Sequence, residues 1–464
     1  MFVLLGLYSE EYNVGDFMKF HIAVIVGFLP VLAFGADDCA TRRTVPEGVQ
    51  SLQDVINLGL CRNPQTAAAY ASLRSSHFNK NAGYANYLPS VSLGANASKN
   101  FAQSADTKVK DYDWHYGASI SASYLIFDFG KRTADMNQMI SAYRAAGFDY
   151  DETIQNFIYG LVGSYYELLN ADADVESAES ALKVAQTAKD TADKKFKAGV
   201  VAKADVYKAE TTLASSQLSL ERSKNNREIA KGTLLTKLSF PANQEIIIAD
   251  MSSSFGSEAE SESIEELINI AREKRPDLLK AAANKDAAWH KRNSAFLRNL
   301  PSISANGSLG WNDNNLHDVF APETDKMNGS IGIRASMPLF AGFANVYGIR
   351  AAEADYDRAK YNEQQTKNTA MMDVFTAYQN YKTAQTVLKH TGALLKSATE
   401  SERVTAGMYK VGRATMLDWQ TAQSELVNAQ RQNNAAKYDL FVKRAAVALA
   451  IGDIKSELEG IKDE

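Results

Sequence analysis

Proline and long apolar runs are both scarce in this sequence. Only nine prolines occur in 464 residues, and none lies between Pro89 and Pro241 or after Pro338. Because proline interrupts a helix, these gaps allow very long helices. The formal net charge of −5 provides no electrostatic footprint for nucleic acid. Hydrophobic residues make up 45% of the chain, but they form no run long enough for a helical transmembrane protein.

Patterns typical of enzymes and metal sites are also missing. The six histidines are dispersed, with no pair at metal-ligand spacing, and the two cysteines have no such spacing either. Neither a Gly-x-Ser-x-Gly motif nor a phosphate-cradling loop occurs. The sequence therefore predicts a protein that is not an enzyme and that has no metal or cofactor. The histidines are His21, His77, His115, His290, His317 and His390.

The one apolar run covers residues 22–34 and is too short to span a bilayer. It follows a basic residue and ends in small residues, the pattern of a secretory signal. The residues before Met18 carry three acids and no Lys or Arg, which favours a translation start at Met18. We expect a signal peptide over residues 1–35 and a mature N-terminal segment over 36–50. The alternative is a buried N-terminal helix.

Cys39 and Cys61 are the only cysteines, and both would remain after removal of the signal. Export into an oxidising compartment favours a disulfide that ties the mature N-terminus to the first helix. The alternative is that Cys39 is a lipid-modified N-terminal residue. Residues 36–38 read Ala-Asp-Asp, which is not the apolar and small pattern that precedes a lipidated cysteine.

Four sequence landmarks occur twice in the same order, displaced by 212 or 213 positions. The unit is too long for a solenoid repeat and predicts a pseudo-twofold fold built from two copies. We place the first copy at 51–250, a polar linker at 251–262, the second copy at 263–455 and a charged tail at 456–464. The landmark pairs are 88–92 and 300–304, Pro64 and Pro276, 126–127 and 339–340, and 196–199 and 409–412.

Each copy is predicted to contain a helix, two strands and two long helices, so the fold class is α-rich with β. Apolar residues alternate with Ser, Gly and Asn along the strand segments, the period-two pattern of strands with one small, polar face. Small apolar residues at heptad-like spacing follow, which indicates coiled-coil helices. The first copy has helix 51–86 (bent at Pro64), strand 90–98, polar loop 99–115, strand 118–126 and helices 133–197 and 203–238. The second has helix 263–297, strand 302–310, loop 311–328, strand 329–340 and helices 344–408 and 415–452.

Four strands in one chain cannot close a membrane barrel alone. Their predicted length, about nine to ten residues, suits a tilted strand that spans a bilayer. The chain must therefore oligomerise if its strands cross a membrane.

Leu-Pro-Ser stands before the first strand of each half, and segments 124–130 (YLIFDFG) and 337–342 (MPLFAG) follow the second. A glycine-containing turn is followed six residues later by Asp in both halves. Two halves of this order with these motifs resemble the TolC family of outer-membrane channel proteins. The resemblance covers residues 49–455. It implies a homotrimer in which twelve strands form an outer-membrane β-barrel and twelve long helices continue it as a periplasmic α-helical coiled-coil barrel.

The resemblance also implies a function. The chain is expected to be the outer-membrane exit duct of a trans-envelope export system in a Gram-negative cell, serving type I secretion or tripartite efflux. A periplasmic adaptor protein and an inner-membrane ABC or proton-driven pump would open this passive channel. The missing lipid signal and the predicted disulfide favour the unlipidated, secretion-capable branch. The alternative is a non-transporting coiled-coil protein that tethers the envelope, which would not need small polar strand faces in both halves.

Within this resemblance, the small polar strand residues would line water and the apolar ones would face lipid. Aromatic residues near the strand ends would form the outer girdle and the inner boundary of the membrane region. The alternative is that the phenylalanines pack strand-to-helix turns. The water-lining residues are Ser90, Ser92, Gly94, Gly117, Ser119 and Ser121, and the lipid-facing ones are Val91, Leu93, Ile120 and Ile126. The girdle residues are Tyr112, Trp114, Tyr116 and Trp311, and the inner-boundary residues are Phe127, Phe129, Phe340 and Phe343.

The helical hairpin tips correspond by resemblance to the adaptor-contact turns of the family. The alternative is a turn role alone, because glycine suits a helix end that needs a positive φ. The tip residues are Ala198, Gly199 and Val200 in the first copy and Val411, Gly412 and Arg413 in the second.

The resemblance implies a gate at the closed periplasmic entrance. Asp418 would belong to an acidic ring there, and Tyr409 would donate a hydrogen bond to Asp205 that latches the helices shut. This chain departs from the family pattern at Thr421, where a second acid is expected, and at Ala414, where an arginine is expected and which Arg413 adjoins. The alternative for Asp418 is an ordinary acid at a helix N-terminus.

Overall fold

The computed structural model describes residue 45 and residues 48–103, 110–250, 263–314 and 327–454. The predicted signal peptide, Cys39, the linker 251–262 and the tail 456–464 lie outside the described residues. The domain boundaries that depend on them, and the Cys39–Cys61 disulfide, therefore stay predictions.

The described elements repeat one order twice, as the duplicated landmarks predict. In each copy, two shorter helices precede two long strands and two long helices. The helices are α1 (Leu52–Arg62), α2 (Pro64–Gly83), α3 (Lys131–Lys197), α4 (Lys203–Lys237), α5 (Ile264–Lys274), α6 (Pro276–Leu297), α7 (Ala344–Lys410) and α8 (Met416–Ile451). The strands are β1 (Val49–Gln50), β2 (Ser90–Gln103), β3 (Lys110–Phe127), β4 (Ile247–Ile248), β5 (Ser302–Asn314) and β6 (Met327–Ser336).

The helices predicted over 51–86 and 263–297 are each broken into two, which corrects the expectation of single helices. The break falls at Asn63 (φ −69°, ψ 129°) and at Arg275 (φ −68°, ψ 119°), both extended. Each residue precedes a proline, and proline disfavours the helical conformation of the residue before it. Proline is favoured in the first turn of the next helix, so a new helix begins at once.

The predicted long helices are confirmed. α3 and α7 contain 67 residues each and are about 100 Å long at about 1.5 Å per residue. α3 packs along α4, α7 packs along α8, and α3 and α8 also contact each other. The small apolar residues predicted at heptad-like spacing lie in these contacts, because Ala178, Ala185 and Ala192 are all buried. No helix of the described ranges is long and apolar enough to cross a membrane.

The four long strands form one antiparallel sheet in the order β2-β3-β5-β6. The loops predicted over 99–115 and 311–328 are shorter than expected, because backbone pairing continues past the last alternating apolar residue. β2 reaches Gln103, and β3 begins at Lys110. Among the described residues, β2 and β6 each keep one edge without a paired strand.

A buried core between α1, α3 and the end of α4 supports the base of the first copy. Leu161 is fully buried, as are Leu234 and Leu238. Gly59 in α1 lies against this core. A Cβ atom added at Gly59 would stand 2.6 Å from Leu161 Cδ1 and 3.3 Å from side-chain atoms of Leu238 and Phe157. Any larger residue at this position would overfill the core.

We expect Gly59→Ala to lower the free energy of unfolding by about 1–3 kcal/mol through overpacking, although alanine is the better helix former. Gly147→Ala in α3 is the matched control, because a Cβ there meets no atom within 4 Å. That change should be neutral or stabilising by up to about 1 kcal/mol. Chemical denaturation followed by circular dichroism measures both, and equal stabilities of the two variants would contradict this view of α1.

Candidate functional site

Side chains of one kind line up across all four strands of the sheet. Ser92, Ser121, Ser308 and Ser330 stand side by side in one row. The hydroxyl oxygens of the first pair lie 2.7 Å apart and those of the second pair 2.8 Å apart. We call this surface the polar face. Its members are Ser90, Ser92, Gly94, Asn96, Ser98, His115, Gly117, Ser119, Ser121, Ser123, Leu125, Ser302, Ser304, Asn306, Ser308, Gly310, Asn312, Asn328, Ser330, Gly332, Arg334 and Ser336.

The opposite surface, the apolar face, consists of the alternate residues of the same strands. Leu93, Ile120 and Leu309 form one of its rows. Its large side chains are open in the single chain, since Leu93 is 82% exposed and Ile331 is 93% exposed. A contiguous exposed apolar surface of this kind marks contact with lipid or with another protein. The two-faced strands predicted from alternation are thus in register across the whole sheet.

One predicted lipid-facing residue departs from the pattern. The register between β3 and β5 shifts between Leu125 and Phe127, which leaves Ile126 in a β-bulge. A bulge bends the strand and inserts one unpaired residue. Ile126 therefore lies at the end of the sheet where the chain turns toward α3 and does not continue the row of Leu93 and Ile120.

The predicted aromatic residues fall into two groups at opposite ends of the sheet. Trp114 and Tyr116 stack with ring centroids 6.0 Å apart near the end remote from the helices. The side chain of Tyr112 lies outside the described residues. Phenylalanines pair within the strand-to-helix turns, as the alternative interpretation expects: the Phe127 and Phe129 rings are 4.7 Å apart, and the Phe340 and Phe343 rings 5.5 Å. Their role at a membrane boundary stays a prediction.

Both helical hairpins end in the same turn, a Schellman motif with a left-handed glycine. Gly199 has φ +73° and Gly412 has φ +79°. A residue with a Cβ would be strained there, so the turn interpretation of both glycines is confirmed. In the first copy, the N–H groups of Val200 and Gly199 donate to the carbonyls of Lys195 and Phe196; in the second, those of Arg413 and Gly412 donate to Met408 and Tyr409. The tip residues Ala198, Val200, Val411 and Arg413 are exposed.

The predicted latch between Tyr409 and Asp205 is not formed as a hydrogen bond in this structure. Tyr409 is only 2% exposed, and its hydroxyl oxygen has no partner among the described residues. Burial raises the pKa of Tyr409, and the nearby negative charge of Asp205 raises it further. Asp205 lies 3.9 Å from Lys208 on its own helix. The two residues are neighbours, but direct bonding does not join them.

A different side chain joins the two hairpins at this place. Lys195 of α3 donates a hydrogen bond to the backbone carbonyl of Tyr409, at the end of α7. Its ammonium nitrogen also lies 4.1 Å from the centroid of the Tyr409 ring, in a cation–π contact. A cation at the C-terminus of a helix is additionally favoured by the helix dipole. Sequence reasoning missed Lys195 because the contact joins residues 214 positions apart.

Trp419 and Gln420 of α8 complete the tip, and sequence reasoning missed both. The Trp419 ring packs 5.2 Å from the Tyr409 ring, and its Nε1 donates to Glu402 Oε1 at 2.8 Å. Gln420 Nε2 donates to the carbonyl of Lys208 in α4 at 2.9 Å. A tryptophan at a heptad-like position otherwise filled by alanine was the signal that could have located this cluster.

Asp418 has the ordinary helix-terminal role that the sequence left open as an alternative. It forms a capping box with Thr415: Asp418 N–H donates to Thr415 Oγ1 at 3.2 Å, and Thr415 N–H donates to Asp418 Oδ2 at 2.8 Å. The side-chain and backbone hydrogen bonds from Thr415 lower the pKa of Asp418. The side chain remains exposed, so capping does not exclude a place at an entrance. Arg413 makes no ion pair with a described acid.

Comparisons with known proteins agree with this architecture. The family model described as "Outer membrane efflux protein" matches residues 55–238 and 267–453. The chain is 24% identical to toxin and drug export protein A of Aggregatibacter actinomycetemcomitans, over 85% of each protein. It is 21% identical to the outer membrane protein TolC of Vibrio cholerae, over 88% of this chain and 92% of that protein. The crystal structure of the CmeC outer membrane channel of Campylobacter jejuni superposes with a TM-score of 0.75, at 21% identity and 89% coverage of both chains.

The chain belongs to the outer membrane efflux protein family, and the two matched segments are the two copies of the repeat. It is an efflux or secretion channel of TolC type, located in the outer membrane and extending into the periplasm. Channels of this family are not enzymes. Membership also implies a trimer that works with efflux partners. The resemblance seen in the duplicated motifs is therefore confirmed.

The tip contacts predict how conductance responds to substitution. Lys195→Met removes the bond that joins the two hairpins, so we expect it to raise the resting conductance of the reconstituted channel. Tyr409→Phe should leave conductance unchanged, because the hydroxyl group has no partner among the described residues. Lys197→Met, an exposed lysine in the same helical turn, is the matched control. Single-channel recording tests all three variants. A higher resting conductance in Tyr409→Phe than in Lys195→Met would contradict this view and favour the predicted hydrogen bond between Tyr409 and Asp205.

Proposed function

We propose that this chain is one protomer of a homotrimeric exit duct of a trans-envelope export system. The observation that carries the proposal is the open four-stranded sheet with one polar and one apolar face. An adaptor protein and an inner-membrane pump of the ABC or proton-driven type would engage and open the duct. The non-transporting envelope tether that the sequence left open as an alternative does not agree with the family match or with the polar face, because a tether has no use for a water-lining surface.

The unpaired edges of β2 and β6 support the trimer. An edge strand exposes backbone N–H and C=O groups, which cannot remain unpaired in hydrocarbon. Joining β6 of one chain to β2 of the next satisfies both edges, and three chains supply twelve strands. Even-numbered antiparallel barrels of this size occur in outer membranes. The apolar face then meets lipid, while the polar face lines water.

The exposed tips support contact with an adaptor. Val200 is 65% exposed and Val411 is 74% exposed, and each follows or precedes a left-handed glycine at the end of a long hairpin. Exposed apolar side chains on a rigid turn suit docking to a second protein. We infer that Ala198–Val200 and Val411–Arg413 form the docking surface. The Cys39–Cys61 disulfide, proposed for the exported chain, would anchor the N-terminus on α1.

The nature of the cargo is inferred from one relative and from the polar lining of the duct. The name of the relative in Aggregatibacter actinomycetemcomitans describes export of both toxins and drugs. A passive duct lined by Ser, Gly and Asn offers no tailored cavity, so cargo choice would fall to the pump. We propose service in type I secretion, with tripartite efflux of small molecules as the second role.

We expect the detergent-solubilised protein to have the mass of three protomers. Native mass spectrometry or light scattering combined with refractometry measures it. The same preparation should insert into planar bilayers and conduct ions. A stable monomer that gives no conductance would contradict the proposal.

A second prediction separates the two roles of Asp418. Threefold symmetry would place three Asp418 carboxylates around the entrance, where like negative charges attract cations. Asp418→Asn should therefore lower the cation preference of the channel. Thr415→Ala removes the helix cap but keeps the charge, so it should leave the preference unchanged. Reversal potentials measure both variants, and equal changes would assign Asp418 to capping alone.

The pH dependence of this preference has a defined direction. Hydrogen bonds from Thr415 lower the pKa of Asp418, whereas the other two carboxylates of the proposed ring would raise it. The bonds from Thr415 should therefore move the loss of cation preference to a lower pH than the same ring would show without them. In Thr415→Ala, the loss should occur at a higher pH.

A further inference from the structure

Among the polar-face members named above, Arg334 is the one Asp, Glu, Lys or Arg residue. It lies on β6 in the row formed by Leu125, Ser304 and Arg334. Counted along the polar face, that row is the second from the end of β6 at which the chain turns toward α7. The other members of the face are short polar residues, glycines, one histidine and one leucine. Arg334 is exposed and forms no ion pair or hydrogen bond with a described residue.

No described strand presents an acid on this face close to Arg334. β2 offers the edge that would pair with β6 of a neighbouring copy, and its polar-face residues from Ser90 to Ser98 include no acid. Asp128, beyond the end of β3, is bonded to Gly130 and Arg132 and is 7% exposed. By register, Asp111 and Asp113 belong to the same face, but they are fourteen and twelve residues along β3 from Leu125, about 40 Å or more at about 3.4 Å per residue.

We propose that three copies of Arg334 form a positively charged ring at the helix-side end of the duct and make this section favour anions, including anionic groups on the cargo. This inference rests on the trimer proposed above. Three fixed charges of one sign around water attract counter-ions and repel ions of like charge.

The ion preference of the Arg334 ring is opposite in sign to that of the Asp418 carboxylates at the other end of the long helices. The two sets of charges are separated by the length of α7, about 100 Å at about 1.5 Å per residue. That distance far exceeds the Debye length of about 8–10 Å in physiological salt, so each set acts on its own section of the duct. The measured ion preference is therefore the product of two independent filters of opposite sign.

The effect of the ring can be tested by changing the salt concentration, because the Debye length depends on it. The Debye length is about 30 Å in 0.01 M salt and about 3 Å in 1 M salt. A ring on the wall of a wide barrel reaches the axis in the first condition and not in the second. The Coulomb energy of three unit charges in water predicts a change of about twofold or more in the cation-to-anion permeability ratio when the ring is removed in dilute salt.

We would measure reversal potentials of the reconstituted trimer in a potassium chloride gradient at both ionic strengths. Arg334→Gln should raise the cation-to-anion ratio about twofold or more in dilute salt and leave it unchanged in concentrated salt. Arg334→Lys, which keeps the charge, should match the unaltered protein. Lys99→Gln is the matched control, because it removes a positive charge from the same sheet at a register position of the apolar face.

A second variant protects the test against an assembly defect. Arg334→Cys can be labelled after trimer formation with a cationic or an anionic thiol reagent. The anionic label should raise the cation-to-anion ratio above that given by the cationic label. A channel whose ratio in dilute salt is the same with Arg334, with Gln and with either label would overturn the ring. Failure of the unaltered protein to conduct at all would instead overturn the proposed duct.

Discussion

The unpaired edges of the four-stranded sheet are the constraint on which the rest of this molecule depends. Strand edges that enter a membrane must find partners, because hydrocarbon supplies no hydrogen bonds. A single chain has only four long strands in its described part, so the partners must come from other copies. The long helices continue from the same strands, and their arrangement must follow the symmetry that the strands impose. Closure of the barrel and packing of the helices therefore obey the same symmetry.

The two copies of the repeat have the same backbone plan, but their side chains differ at the hairpin tips. The two tips share the same Schellman turn, but their surroundings differ. Phe196 is 41% exposed in the first copy, whereas its counterpart Tyr409 is 2% exposed beneath Lys195. Ala202 caps its helix without a side-chain bond, whereas its counterpart Thr415 forms a capping box. The two hairpin tips therefore share one backbone turn but differ in their side-chain contacts.

Much of the fold was predictable from local pattern. Alternation along strands 90–98 and 118–126 correctly separated the polar face from the apolar face, because side chains of successive strand residues point to opposite sides. A bend was expected at Pro64, where the helix in fact ends and restarts, and the matching break at Pro276 was not predicted. Strand ends were predicted less well, since pairing partners rather than side chains decide where a strand stops.

The sequence by itself determined the duplicated plan, the two-faced strands, the long helices and the glycines of the tip turns, because each depends on periodicity or on the φ of one residue. Tertiary structure alone decided which side chains meet at the tip. Lys195 contacts Tyr409 across 214 positions, and the Tyr409 hydroxyl is left without the partner expected in Asp205. It also decided that no acid of the polar face lies near Arg334, since only strand register shows which residues of four distant segments share a row. Such contacts are set by packing between elements far apart in the chain, on which local periodicity carries no information.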